Sequence, residues 1–303
     1  MEFLLSVLPL VLVVVAGYAL AKTGTIPRGS WAAIETLSFR VLIPATLILA
    51  IATSDLSVAR FGGFGATLLI TLALVAVGTL ALRLLPHHRL SNPSFTTLFQ
   101  TTMRWNVFVA LAASEQFLTG GIALLAVAIA VLIPLINIIC IVVLASFGPA
   151  RASVRRIFGA VARNPLVQAC AIGLALNLLD VSLPAPVEDT LEMIGRGALA
   201  VGLLAVGGGI SLRRLARADA RVIAGAILRP LITPALFVVV GSAVGLPAVQ
   251  LFAGVLVFSA PAASNGYIVA KQMGGDADLY ADVLTWQVGL SLMLLPVWAA
   301  ALL

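Results

Sequence analysis

Apolar residues follow one another in long stretches along this chain, broken by short clusters of glycine, proline and charge. Within the stretches there is no strict alternation of apolar and polar positions. Breaks at these clusters predict helices near 3–22, 31–53, 63–85, 94–116, 120–147, 157–179, 186–211, 221–244, 248–271 and 279–302. A helix needs about 20 apolar residues to cross a bilayer. In lipid every backbone N–H and C=O must be satisfied within the segment, which makes such stretches helical. A membrane β-barrel would alternate, and these runs do not. The pattern therefore predicts an all-α integral membrane protein with ten transmembrane helices.

Composition agrees. The 303 residues are 61% hydrophobic and 10% charged, with a mean hydropathy of +1.15. Soluble domains carry about 25% charged residues, so a soluble fold of this length could not cover its surface. No segment is long and polar enough for a separate soluble domain. The net charge of +6 would suggest nucleic acid in a soluble chain; here it marks topology, and no nucleic-acid partner is expected. Thirteen basic residues fall in loops after odd-numbered helices (Lys22, Arg28, Arg83, Arg89, Arg151, Arg155, Arg156, Arg163, Arg213, Arg214, Arg217, Arg221 and Lys271). Only Arg60 and Arg196 fall in the others, while Arg40, Arg104 and Arg229 lie inside apolar runs. The odd loops are therefore cytoplasmic and both termini lie outside. Met1-Glu2 is not the positive start of a signal peptide, so the first run is read as a retained helix.

The second half of the chain echoes the first. Pro9-Leu10 with Gly17 is matched by Pro165-Leu166 with Gly173. Pro27 followed by Glu35 is matched by Pro184 followed by Glu192, and Arg60 to Pro86 by Arg221 to Pro247. Asn106 of the fourth span is matched by Asn265 of the ninth. The offset stays near half the chain length, which divides it into repeats at 1–150 and 151–303. Five spans per repeat is odd, so the repeats are inverted, as in secondary transporters.

Such transporters hold their ligand near the midplane, where two helices are interrupted. The fourth span is the least apolar of its half and reads Gln100-Thr101-Thr102-Met103-Arg104-Trp105-Asn106. The ninth reads Ser259-Ala260-Pro261-Ala262-Ala263-Ser264-Asn265-Gly266-Tyr267. Pro261 removes a backbone donor and Gly266 permits unusual geometry beside it. Freed N–H groups and positive half-helix ends suit an anion. A lone intramembrane Asn is more often an interhelical hydrogen bond, but the matched pair Asn106 and Asn265 favours a ligand. Asn137 has no match and is read as structural. Arg104 costs at least ~2.5 kcal/mol inside a membrane. It either meets an anionic ligand or pairs with an acid such as Glu115 or Asp282. Glu35 with Arg40, and the i,i+4 pair Glu192–Arg196, are read as structural or interfacial. Asp276, Asp278 and Asp282 are read as a solvated loop, and Gly207-Gly208-Gly209 as close packing or a hinge. Cys140 and Cys170 sit in apolar runs and read as core packing. His87-His88 alone does not make a metal site, so no metal or cofactor is expected.

The chain contains no H-E-x-x-H, no P-loop and no G-x-S-x-G elbow. It resembles the auxin efflux carrier family along its whole length. The carrying residues are Pro9 with Gly17-Tyr18, Val41-Leu42-Ile43-Pro44-Ala45, Ala260-Pro261-Ala262-Ala263-Ser264-Asn265 continuing to Gln272, and Ser291 to Pro296. Arg104-Trp105-Asn106 also resembles the family's fourth-span pattern. The resemblance implies a fold similar to bile-acid sodium symporters, in which helices 1, 2, 6 and 7 form a scaffold. Helices 3–5 and 8–10 would form a moving transport domain with spans 4 and 9 crossing, an elevator-like motion, and often a homodimer through the scaffold. It implies a bacterial inner-membrane protein and contact of Asn106 with a substrate carboxylate. Val107-Phe108-Val109-Ala110 stands where the family has glycine and proline, which implies either a softer break or a narrower, more apolar pocket.

These readings converge on a secondary transporter of a small organic anion, most simply a carboxylate. Asn106, Asn265, Arg104 and Pro261 would hold the anion, and Trp105, Phe108 and Tyr267 would contact its body. A sodium-coupled symporter of a larger amphipathic anion is the alternative within transport. A non-transporting membrane sensor or enzyme is the alternative outside it.

Overall fold

The computed structural model describes residues 2–53, 58–84, 90–147, 159, 162–264 and 266–303. Among these residues the chain is helical, with no strand. The first half runs through α1 (Glu2–Thr23), α2 (Trp31–Ala52), α3 (Val58–Ala81), α4 (Asn92–Met103), α5 (Val107–Phe117) and α6 (Gly121–Phe147). The second runs through α7 (Pro165–Leu178), α8 (Ala185–Gly209), α9 (Ala220–Val244), α10 (Ala248–Ser259), α11 (Gly266–Met273) and α12 (Ala277–Leu302). Seven of these segments are long and apolar enough to cross a membrane, and α7 and α10 are shorter apolar helices. The expected fourth span is divided into α4 and α5, and the expected ninth into α10 and α11.

Local chemistry explains the boundaries. Ser91, Asn164 and Asp276 cap the starts of α4, α7 and α12, each accepting backbone N–H groups of the first turn. Pro93 and Pro165 follow the first two caps, at first-turn positions where their missing N–H is not needed. Gly245, at φ 78°, closes α9 in the left-handed conformation that favours glycine. Pro44 and Pro234 stand just after π-helical turns at Ser38–Leu42 and Leu228–Ile232, where the helix widens.

Outward faces carry Leu5, Leu8, Leu12 and Val15 on α1, Ile70, Leu74 and Val77 on α3, and Met293 and Val297 on α12, all exposed. Exposed apolar surface of this extent suits lipid. The inward contacts depend on small residues, since apolar burial gives little drive between helices in lipid. α1 packs most extensively against α8, and α2 against α7. A Cβ added at Gly17 would lie 2.1 Å from the Leu204 carbonyl oxygen, and one at Gly207 would lie 1.9 Å from that of Val14. The backbones of α1 and α8 therefore touch at two glycines. A Cβ at Gly173 of α7 would lie 2.8 Å from the Ile51 Cβ of α2. Gly208 is covered by the Trp31 ring, so Gly207 and Gly208 are closely packed, whereas Gly209 faces open space. Cys140 and Cys170 are free and buried.

A side chain at Gly207 must push α1 and α8 apart, at a cost of about 1–3 kcal/mol or more. Gly207→Val is expected to lower the unfolding temperature in detergent markedly. Gly78→Ala, which meets open space, should leave it nearly unchanged.

Candidate functional site at the crossing of two broken helices

Residues 104–106 leave the helix between α4 and α5, and residues 260–263 leave it after α10. Arg104 (φ −73°, ψ 145°) and Asn106 (φ −87°, ψ 105°) are extended. The two breaks meet: the Asn106 N–H donates to the Pro261 carbonyl at 2.7 Å. α10 packs on α5, and α11 on α4, so each half-helix faces the opposite half of its partner. The break at 104–106 is complete despite the lack of glycine or proline. Asn106 makes it so by capping α5, its Oδ1 accepting the Val109 N–H at 3.2 Å.

A helix break leaves carbonyls without partners, and here they are accounted for. Arg229, 1% exposed within α9, donates from Nε to the Ala260 carbonyl at 2.9 Å and from one terminal nitrogen to Val257 at 2.8 Å. Its other terminal nitrogen donates to the Thr102 and Met103 carbonyls. Thr233 takes the Phe258 carbonyl at 2.8 Å and Ser291 takes that of Ser259 at 2.6 Å. Gln287 of α12 donates to the Thr101 carbonyl at 3.1 Å, and its Oε1 accepts the Ala262 N–H at 2.8 Å. The N–H groups around Pro261, expected to receive an anion, are thus partly consumed within the fold.

The donors that remain belong to the other break. Val107 and Phe108 open α5, so their N–H groups have no acceptor in their own helix. They sit at its positive end. Arg104 is 7% exposed. Its Nε donates to Gln100 Oε1 at 3.2 Å and a terminal nitrogen donates to Asn137 Oδ1 at 3.0 Å. Both partners are neutral, and among the described residues no carboxylate pairs with it. Glu115 is exposed. Asp282 is engaged by Arg214 at 2.6 Å and Arg217 at 3.6 Å. The expected acid partners of Arg104 are therefore excluded. Beside it the Trp105 indole N–H is buried and unpartnered, at a cost of about 1–3 kcal/mol unless a ligand meets it.

These groups line a chamber with about 50 Å³ of room for the centres of water-sized molecules. One water needs roughly 10–15 Å³ on this measure, so the chamber takes a few waters or the head of a small acid. Its walls include Arg104, Trp105, Asn106 and Phe108, and also Asn137, Glu35 and Ser264. Phe108 is held by Gly202 of α8, where a Cβ would lie 1.9 Å from the ring. A second cavity of about 340 Å³ adjoins it and shares Glu35 and Ser264. Tyr267 lines this second cavity and is not among the residues lining the first. Asn265 lies outside the described residues. Asn137 and Glu35, read from sequence as structural, face the chamber. Nothing in the local sequence marks Asn137 beyond Pro134 nearby.

The acids at the start of α12 are also more than a solvated loop. Asp282 is 6% exposed and bridges Arg214 and Arg217. Asp276 accepts from Ser94 at 3.3 Å and so ties α12 to α4. By contrast Glu192–Arg196 is an exposed pair at 3.1 Å, as read. Among the described residues no group of three or more His, Cys, Asp or Glu is placed to hold a metal ion.

A shell of lipid-suited helices around a polar crossing of interrupted helices defines a membrane transporter. A family model described as membrane transport protein matches residues 124–299, and the chain belongs to this family, that of the auxin efflux carriers. The match takes in Asn137 and Pro261 but not Arg104 or Asn106. No curated protein matches the chain.

Removing the Arg229 guanidinium would strand four buried carbonyls at both breaks. Arg229→Met is expected to destabilise the protein by about 3–5 kcal/mol, the range for breaking a buried charged network, seen as loss of monodisperse protein in detergent.

Proposed function

We propose that the protein is a secondary carrier of a small organic anion bearing a carboxylate, bound in the chamber at the crossing. One observation carries this reading: Arg104 is a buried cation whose hydrogen bonds go to neutral groups, with no ion pair to a carboxylate among the described residues. An intramembrane charge left in that state is costly, and a carboxylate is the natural complement of a guanidinium. Two further features support it. Asn106 spends its Oδ1 on the cap of α5, which leaves its NH₂ group as a donor on the chamber wall. The positive end of α5 opens beside it.

Under this reading ten spans form two inverted repeats, 1–150 and 151–303, with spans 4 and 9 crossing. The reciprocal packing supports it: α1 lies on α8 as α7 lies on α2, and the interrupted helices fall at corresponding places in each half. Spans 1, 2, 6 and 7 would act as scaffold and the others would move past them in an elevator-like step. The basic loops would lie in the cytoplasm.

The test is charge movement by proteoliposomes on a solid-supported membrane, challenged with acetate, malonate and indole-3-acetate, with and without sodium, and with radiolabelled exchange for electroneutral transport. Saturable transport of one of these anions is expected, together with its loss in Arg104→Gln and Asn106→Ala. Unimpaired transport in both variants would sink the site assignment. Silence towards every anion in both assays would sink the carrier reading.

A further inference from the structure

Glu35 occupies a place that the crossing alone does not require. It projects from α2, a helix outside the broken pair, and lines both the 50 Å³ chamber and the 340 Å³ cavity beside it. Ser264, from the break after α10, is the other residue shared by both cavities. This pair therefore stands at the constriction between chamber and vestibule, with one member on each side of the proposed sliding surface.

The charged and titratable groups facing Glu35 are few. Across the chamber is Arg104. Across the vestibule are Tyr267 and Arg214, and Arg214 is already matched by Asp282 and Asp278 at 2.6 and 3.2 Å. From α12 the Tyr280 hydroxyl lies behind the break, donating to the Ala263 carbonyl at 2.6 Å. The segment Ala198–Gly209 of α8, which packs on the start of α2, carries no titratable side chain. Arg40 is on the same helix as Glu35, more than a turn further on, and is exposed. The chamber thus holds one guanidinium and one carboxyl group.

A substrate carboxylate would bring a second negative charge to that single guanidinium. Two carboxylates in one small desolvated site do not both stay ionised, because their repulsion favours uptake of a proton by one of them. The substrate carboxylate is the one that contacts the fixed donors of Arg104 and α5, so the proton goes to the other. We propose that Glu35 is the coupling site of this carrier: it takes one proton from water on the entry side when the anion binds and, standing on the static side of the sliding surface, gives that proton up to the exit side once the crossing has carried the anion past it, so that one proton crosses with each anion. This rests on the carboxylate reading above and adds the coupling ion to it. The proton removes the repulsion between Glu35 and the passing anion.

The experiment uses proteoliposomes of the full chain loaded with a pH-indicating dye and challenged with whichever of acetate, malonate or indole-3-acetate the wild type transports. An imposed acid gradient is expected to drive that anion in the absence of sodium, with protons moving in the same direction. In Glu35→Gln the proton flux and the acid stimulation are expected to be lost, whatever rate of anion movement survives. Proton flux and pH profile equal to the wild type in that variant would overturn the proposal and leave the carrier reading intact. No transport of any of the anions by the wild type would instead overturn the carrier reading. If Glu35→Gln does not fold, calorimetry of anion binding to the wild type in two buffers of unlike ionisation heat decides the matter. Proton uptake on binding supports the proposal, and none overturns it.

Discussion

The constraint on which the rest depends is the satisfaction of backbone carbonyls where two helices stop inside the membrane. Lipid offers no hydrogen bonds at that depth, and each stranded polar group costs free energy of the order of a hydrogen bond or more. The chain meets the constraint mainly with one side chain. The planar guanidinium of Arg229 can donate five hydrogen bonds in fixed directions, and it reaches the last turns of α4 and α10 together. Thr233, Gln287 and Ser291 cover the carbonyls that Arg229 does not reach. The breaks are therefore held from α9 and α12, which pack around them, and this fixes their relative position. A lysine could not do the same, since its ammonium is a compact charge without the fork.

That arrangement assigns opposite tasks to the two kinds of helix end. The carbonyl ends of α4 and α10 are neutralised from within, by a cation that belongs to the protein. The amide end of α5 is not. An inorganic cation would find the negative ends already occupied, whereas under the carrier reading an anion would meet Arg104, the Asn106 amide and the first amides of α5. Two arginines only one helix apart in the fold thus differ in kind. Arg229 is saturated by carbonyls and is structural, while Arg104 is held by two neutral side-chain oxygens and retains binding capacity.

Much of this was legible in the sequence, and what was not has a physical reason. Hydropathy and its breaks located the helices because lipid imposes length and internal hydrogen bonding on every segment. The break after α10 announced itself through Pro261. The break before α5 was expected from the polar run ending in Asn106 but as a softer one, since its signal is a cap and capping depends on where the chain turns. Arg229 was visible only as a basic residue in an apolar run. Its partners are main-chain carbonyls, and these leave no mark on residue identity. Asn137 was discounted for lack of a match in the repeat, yet the symmetry of a fold does not bind its ligand-facing side chains to be symmetric. Glu35 was read as interfacial because it lies one turn inside α2. Depth along a helix does not reveal that a cavity reaches up to it.

The same geometry bears on size selectivity. Phe108 projects into the chamber from the first turn of α5, and Gly202 of α8 leaves no room for it to retreat. Glycine or proline at this point of α5 would widen the space, as the family resemblance led one to expect. Here the aromatic ring and Val107 keep the chamber small and its far wall apolar. Under the carrier reading, Arg104, Asn106 and the first amides of α5 would hold a ligand by its charged head, with its body against Phe108 and Trp105. Because Phe108 rests on α8, its position also depends on a helix on the other side of the proposed sliding surface. Movement of the crossing past α8 would release the ring from Gly202 and change the size of the chamber. Under the carrier reading, the width available to the substrate therefore varies with the step of the cycle, and the narrow chamber described here belongs to one stage of it.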